Sequence, residues 1–392
     1  GEMWRLNSRF VGAYAEKDAE LTLKLWNMMR VDLEKQSLMD VFNLETSLLP
    51  VLLDMREKGV KVNIDGAEAA KKKLIGLKQN LIADIKHETG VSVEPWVAKS
   101  VASVFDHHNL YYERTENNGQ PSFTKAFLQA CTHPVAAKIL RLRELDKASN
   151  TFIDNILKFA HKGRIHCEFH QLRSDDGGTV TGRFSSSNPN LQQIPARDPE
   201  IKAMIRGLFI PDDDCKWGSF DYSSQEPRLL VHYCASMGAK YKSPMIDSVV
   251  DEYHKGDADF HQMVADMANI SRKQAKTVNL GIMYGMGVGK LSHTMDISKD
   301  EAKALLAQYH EKVPFVKGLA DLVSAQASAH GKIRTMSGRL CRFDMWEPKT
   351  FGYSKPMKLE QAQKEYGPIL RRAFTYKALN RLIQGSAADQ TK

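Results

Sequence analysis

The spacing of apolar residues in the first ninety positions constrains this chain more than any single motif. Across "AYAEKDAELTLKLWNMMRVDLEKQ" and then "LETSLLPVLLDMREKG", within residues 13–58, apolar side chains recur at three- and four-residue intervals, the period of a helix with one apolar stripe. Gly59 follows the last turn, where a left-handed residue commonly ends a helix. A short strand, "VKVN", leads to a second amphipathic run over residues 64–90, with Asp65 as its expected cap. The polar stretch "LYYERTENNGQPSF" (110–123) reads as an exposed loop, with helices again over 124–160. His107 and His108 read as surface residues.

The pattern then changes. "RIHCEFHQL" alternates, with Ile165, Cys167 and Phe169 on one face and His166, Glu168 and His170 on the other, which is strand periodicity. Zinc is disfavoured there, since Cys167 faces away from the histidines. "SDDGGTVTGRFSSSNPNLQQIPARDP" is turn-rich and expected to be irregular. From residue 200, strands "GLFI" and "WGSFDY" precede helices to about 330, a hairpin "GKIRTMSGRLCRF" and a last helix at about 370–390. The class is α+β with helices dominating.

Length and charge narrow the function. A chain of 392 residues is long enough for two or three domains, and a net charge of +8 favours an anionic partner, nucleic acid first. The five cysteines lack CxxC spacing and suit reduced thiols. No apolar run approaches membrane-spanning length and "GEMWRLNSRF" has no signal-peptide core. A cytoplasmic location follows as the expectation (the host-cell cytoplasm if viral), with no membrane partner. The abrupt ends, "GEMWRLNSRF" and "GSAADQTK", read as cuts through a longer protein.

Three constellations carry chemistry. In "WGSFDYSSQEPRLLVHY", alternation presents Asp221 at a strand end, Ser223 or Ser224 is placed to cap the next helix, and Pro227 falls in its first turn. Asp221 is then either a Mg²⁺ ligand or a plain helix cap. In "RKQAKTVNLGIMYGMGVG", Arg272, Lys276 and Leu280 follow an i, i+4, i+8 path, either a grip for a triphosphate or a solvated basic face. "TVTGRFSSSNPNLQQIP" and "NRLIQGSAAD" supply Arg183, Gln192, Gln193, Asn380, Arg381 and Gln384, groups suited to minor-groove acceptors and phosphates.

Taken in order, "TGRFSSSNPNLQQIP", "DYSSQEPRLLVHY", "DFHQMVA", "RKQAKTVNLGIMYG" and "NRLIQGSAAD" resemble family A DNA polymerases, the DNA polymerase I type, and look most like bacteriophage members. The resemblance runs from about Leu44 to the last residue. It implies a right-hand fold, with a thumb and its approach over 41–160, a palm over 161–226 and 334–392, and fingers over 227–333. Residues 1–40 would be the end of a 3′–5′ exonuclease domain, because "YAEKDAELTLKL" resembles its last motif, with Tyr14 orienting water and Asp18 binding metal.

The implied activity is template-directed DNA synthesis from dNTPs on a primer-template, using two Mg²⁺ ions, with a processivity partner unspecified. By motif match, Asp221 and the Tyr222 carbonyl would bind metal, and Glu226 would exclude a ribose 2′-OH. Arg272 and Lys276 would hold the triphosphate, Lys276 also donating a proton to pyrophosphate. His261 would touch the β-phosphate, and Tyr284 would stack at the templating position. Gln225 and Leu280 fall in the nucleotide set, and Arg183, Gln192, Gln193, Arg228, Arg339, Asn380 and Gln384 in the DNA set.

Leu280 stands where many members carry an aromatic residue, and Ser224, Gln225 and Pro227 depart from the commonest form of the Asp221 motif. The His-Asp-Glu turn that supplies the family's second metal-binding Asp would follow "QGSAAD" beyond Lys392. The 392-residue chain is therefore expected to be catalytically incomplete. A single-subunit RNA polymerase shares the palm Asp and a similar fingers helix, but a bulky acid at Glu226 argues against it. A DNA-binding module without catalysis and a metal-dependent nuclease are the other readings.

Overall fold

The structure is a computed structural model that describes residues 2–115, 117–173, 178–196, 198–237, 245–256, 258–295, 297–350 and 354–392. Residues 174–177 and 197 of the turn-rich segment lie outside the described residues. The chain folds as two compact units, Pro50–His170 with Ser185–Phe220, and Gly1–Leu49 with Gln171–Phe184 and Asp221–Lys392.

In the unit that starts at Pro50, two apolar cores share the helix Ile64–Thr89. Ala67 and Leu74 enter a core with Val62, Ile153, Ile165 and Ile205, whereas Ile85 enters one with Val101, Phe105, Leu128 and Leu142. Steps of seven and eleven residues are close to whole helical turns, so one face serves both cores. The cap is Asn63, whose side chain accepts from Gly66 N at 2.8 Å. Asp65, expected there, lies in the first turn, where its charge still favours the helix N-terminus.

The strands Val60–Lys61, Ala160–His161 and Arg164–Ile165 form an antiparallel sheet with Arg164–Ile165 in the middle. Gly59 is left-handed (φ +62°), and a Cβ there would sit 2.7 Å from the Ile165 carbonyl oxygen. Glu168–His170 pairs with Ser185–Ser187. Ile165 and Cys167 are buried as the alternation requires, while His166 Nδ1 lies 2.8 Å from Arg56 O and His170 Nε2 lies 2.8 Å from Ser187 Oγ.

Some expectations change. The 110–123 segment contains a small hairpin, Glu113–Arg114 with Pro121–Ser122, and ends on buried Phe123. His108 is half-buried, with its ring 4.5 Å from that of His133. "GLFI" contributes a single bridge, Val62 to Phe209, and "WGSFDY" is not a strand. Alternation makes a segment competent for a sheet, but a strand needs a neighbour for its backbone groups, and no described strand pairs with Trp217–Phe220.

The second unit packs the helices Gln225–Ala235, Phe260–Ala268, Arg272–Met283, Lys299–Lys312, Pro314–His330 and Ala378–Thr391 around Leu230, Cys234, Val264, Tyr309, Phe315 and Ile383. The expected hairpin is present as Lys332–Arg334 with Leu340–Arg342. The last helix begins at Ala378, because Leu370–Arg372 is a strand of a small sheet with Met345–Pro348 and Met357–Lys358. The helix Ser8–Lys35 fully buries no residue: Trp26 is half-buried against Phe42, with ring centroids 4.9 Å apart, while Phe10, Leu23 and Met28 are exposed.

A buried ion network joins the three segments of this unit. Arg339 donates to Asp389 Oδ1 at 2.6 Å and to Glu45, and Lys392 Nζ donates to Glu45 Oε1 at 2.6 Å. Thr335 donates to the other Asp389 oxygen at 3.0 Å, and Gln171 Nε2 donates to Glu45 Oε2 at 2.8 Å. Burial pushes the Glu45 carboxyl up, but Lys392 and Arg339 outweigh it and hold the group below its ordinary value. Arg339→Met, which leaves Asp389 buried without its cation, is expected to lower unfolding free energy by about 3–5 kcal/mol, read as a lower urea midpoint at constant slope. An unchanged midpoint would contradict a structural role for the network. Stability contributed by Glu45 is present above its ordinary value of 4.5 and is lost as pH falls through the depressed folded value. Glu45→Gln should therefore flatten the fall in stability below that pH, and an unaltered acid limb would refute the assignment.

Candidate functional site

The helix Arg272–Met283 is two-faced. A capping box starts it, with Ser271 and Gln274 satisfying each other's backbone N–H groups. Ala275, Val278, Asn279 and Met283 are buried, while Arg272, Lys276 and Tyr284 are exposed and Leu280 is half-buried. The four-residue steps of the sequence thus become one accessible cationic stripe ending in an aromatic ring.

His261 joins that stripe through Asp259. The Asp259 carboxylate caps the helix Phe260–Ala268, accepting from His261 N at 3.0 Å and Gln262 N at 3.1 Å. Its other oxygen pairs with Arg272 Nε at 2.7 Å, and this guanidinium holds the Asp259 carboxyl below its usual range. Burial pushes the His261 imidazolium down, with Lys276 and Arg272 adding to the effect and Asp259 opposing it. Two of the residues expected at a triphosphate, Arg272 and His261, therefore meet at one acid whose role the sequence did not disclose. Its signal was local, an Asp directly before "FHQ" in the position of an N-cap.

The helix Gln225–Ala235 carries the second group. Ser224 is left-handed and makes no side-chain cap, so neither serine performs the expected capping, although Pro227 does lie buried in the first turn. Glu226 accepts from the Arg183 guanidinium and, at 3.5 Å, from the Tyr284 hydroxyl. Arg183, Glu226 and Tyr284, far apart in sequence, form one polar cluster. Gln225 instead points to the last helix, its amide donating to Ala387 O at 3.2 Å and Gln390 Oε1 at 3.1 Å. Arg228 donates to Ser223 O at 3.0 Å and lies over the Tyr253 ring.

Asp221 and Tyr222 are exposed. A cavity of about 400 Å³ opens beside Tyr222, lined also by Ser223, Gln225, Arg228 and His232. A carboxylate and a backbone carbonyl are the right kind of donors for a hard cation. They supply part of a coordination shell, and among the described residues no three His, Cys, Asp or Glu side chains converge to complete it.

The remaining candidates are dispersed. Asn380 and Gln384 share a half-buried side of the helix Ala378–Thr391, whose other side buries Leu379, Leu382 and Ile383. Arg339, expected among the DNA contacts, is 8% exposed, with its guanidinium engaged by Asp389 and Glu45. Gln192 and Gln193 belong to the other unit, where they line a cavity of about 520 Å³ with Lys125 and Lys147. Tyr14 and Asp18 lie one turn apart on the helix Ser8–Lys35, and the hydrogen bond and charge of Asp18 push the exposed Tyr14 phenol up.

Comparison with known proteins bears on the family and the fold. The family model for DNA polymerase family A matches residues 67–392. The DNA-directed DNA polymerase of Pseudomonas phage M6 is 34% identical over all of this chain and 63% of its own length. The thermostable DNA polymerase I of Thermus aquaticus is 29% identical over 98% of this chain and 44% of its own. The chain thus spans less than two thirds of these relatives. Among solved structures, the POL domain of Pol1 from M. smegmatis in complex with DNA primer-template and dNTP superposes with a TM-score of 0.73 at 25% identity, covering 94% of this chain and 61% of that one. With its helix-dominated α+β fold and its sequence motifs both matched, the chain belongs to DNA polymerase family A.

Proposed function

We propose that the chain serves template-directed DNA synthesis, binding a primer-template and a dNTP and joining the primer 3′-oxygen to the α-phosphorus with release of pyrophosphate. The observation that carries this reading is Glu226, held between Arg183 and Tyr284 in the same unit as Arg272, Lys276 and His261. Arg272 and Lys276 bind the triphosphate from the exposed side of their helix, and Lys276 protonates the leaving pyrophosphate. Asp259 orients Arg272 until the phosphates compete for it. Glu226 fills the space a ribose 2′-OH would need, and Tyr284 stacks at the templating position.

On the DNA side, Arg183, Asn380 and Gln384 read minor-groove acceptors common to all base pairs, and Gln192, Gln193 and Arg228 contact the strands. Arg339 acts through the fold it holds. Asp221 and the Tyr222 carbonyl would hold Mg²⁺, which supplies charge neutralisation at the phosphates and a more acidic primer hydroxyl. The right hand has its thumb and its approach over 41–160, its palm over 161–226 and 334–392, and its fingers over 227–333.

Two measurements test this without requiring turnover. With a dideoxy-terminated primer-template and Mg²⁺, the next dNTP should stabilise a ternary complex in a gel-shift titration, and the matching rNTP should do so far less. Glu226→Ala should narrow that preference by about tenfold or more, about 1.4 kcal/mol. An unchanged ratio would remove the gate role, and a preference for rNTP in the unaltered protein would favour an RNA polymerase. Primer-template binding measured by anisotropy should weaken at least about tenfold between about 50 and about 200 mM salt, the loss expected from two neutralised phosphates. Binding indifferent to salt would contradict a charged DNA surface.

A further inference from the structure

His261 is the end of a buried relay that begins on a different helix. Tyr309, on Lys299–Lys312, is fully buried, and its hydroxyl donates to Asn279 Oδ1. Asn279, also fully buried, places its amide nitrogen 3.1 Å from His261 Nδ1. The directions of these bonds follow from donor chemistry. With no other hydrogen-bond partner for the Tyr309 hydroxyl among the described residues, reversing the relay would strand its hydrogen in the core. Tyr309 therefore donates, the Asn279 oxygen accepts, and the Asn279 NH₂ can only donate to His261 Nδ1. An Nδ1 that accepts carries no proton, so the neutral ring carries its proton on Nε2.

We propose that Tyr309 and Asn279 are positioning residues that hold His261 as the neutral Nε2–H tautomer, so that it donates a hydrogen bond to a phosphate oxygen of the incoming nucleotide. The phosphate part rests on the nucleotide-binding reading given above. Neutrality agrees with the surroundings, since burial disfavours the imidazolium, Lys276 and Arg272 disfavour it further, and Asp259 alone opposes them. The helix Arg272–Met283 thus contributes twice, with cations on its exposed face and a tautomer-setting amide on its buried face. The amide was visible in sequence as the one polar residue among Ala275, Val278 and Met283, which share its face.

The test uses the full chain with ¹⁵N-labelled histidine, one of thirteen assigned to His261 by difference from His261→Gln. The unaltered protein should show Nδ1 unprotonated and Nε2 protonated at neutral pH. Tyr309→Phe frees the Asn279 amide to turn over and should yield a mixture of tautomers. Asn279→Asp presents a carboxylate to Nδ1, which moves the proton there and raises the imidazole pKa.

Inorganic pyrophosphate, titrated with Mg²⁺, probes the donor function. Measured relative to His261→Ala at each pH, which cancels the titration of pyrophosphate itself, its affinity should be flat through neutral pH in the unaltered protein. In Asn279→Asp it should fall about tenfold as pH rises through the raised His261 value and the Nε2 proton is lost. A purely structural role for Asn279 would shift affinity without that new pH dependence, which would overturn the proposal. An Nδ1–H tautomer in the unaltered protein would overturn the relay itself, whatever the Tyr309 and Asn279 variants do. If the tautomer is as stated but His261→Ala, which removes the donor, binds pyrophosphate unchanged, the nucleotide reading of His261 fails while the relay stands.

Discussion

The buried pairing of Arg339 with Asp389 and Glu45 is the interaction on which the unit formed by Gly1–Leu49, Gln171–Phe184 and Asp221–Lys392 depends. It lies where three segments distant in sequence meet, Glu45 from the first, Gln171 and the 181–183 turn from the second, and Arg339, Asp389 and Lys392 from the third. Apolar contacts alone would leave their register free, since hydrophobic burial has no direction. A planar guanidinium shared by two carboxylates admits few geometries, and the desolvation cost of burying it makes every other register worse.

The network also reaches the site. Gly182 is left-handed (φ +80°) and lies against Arg339, with an ideal Cβ only 3.0 Å from its Nε. The next residue, Arg183, is the one that meets Glu226. The turn that aims Arg183 is thus laid over the buried cation, and its glycine gives both the close approach and the backbone conformation. On the other side, Asp259 fastens Arg272 to the helix that carries His261. The cationic stripe and the polar cluster around Glu226 meet at Tyr284, which ends one and contacts the other.

Much of this was legible in the chain. Helical periodicity located most helices of both units, and alternation put Ile165 and Cys167 on one face, which the structure buries. The i, i+4 path of Arg272 and Lys276 foretold an exposed stripe, because both periods are properties of backbone geometry that any neighbour must accept. Failures occurred where a partner decides. Trp217–Phe220 alternates like a strand, yet no described strand takes its hydrogen bonds. The Ser8–Lys35 run is helical as its spacing requires, yet spacing did not tell that only Trp26, Val11 and Leu33 among its apolar side chains would be even half-buried. Ser224 has a capping side chain but a left-handed backbone that withholds it.

The division between the two kinds of knowledge follows from the range of the interactions. Sequence by itself determined the class of fold, the order of the motifs and the membership in DNA polymerase family A, since these rest on local periodicity and on residue types at fixed spacing. Tertiary structure alone decided which polar groups meet. It placed Arg183 on Glu226, Asp259 on Arg272 and Tyr309 on Asn279, and it buried Arg339 among carboxylates rather than exposing it to an anionic ligand. The spacing of residues along one chain carries no information about an angle between two helices, and a hydrogen bond exists only when that angle brings donor and acceptor within about 3 Å.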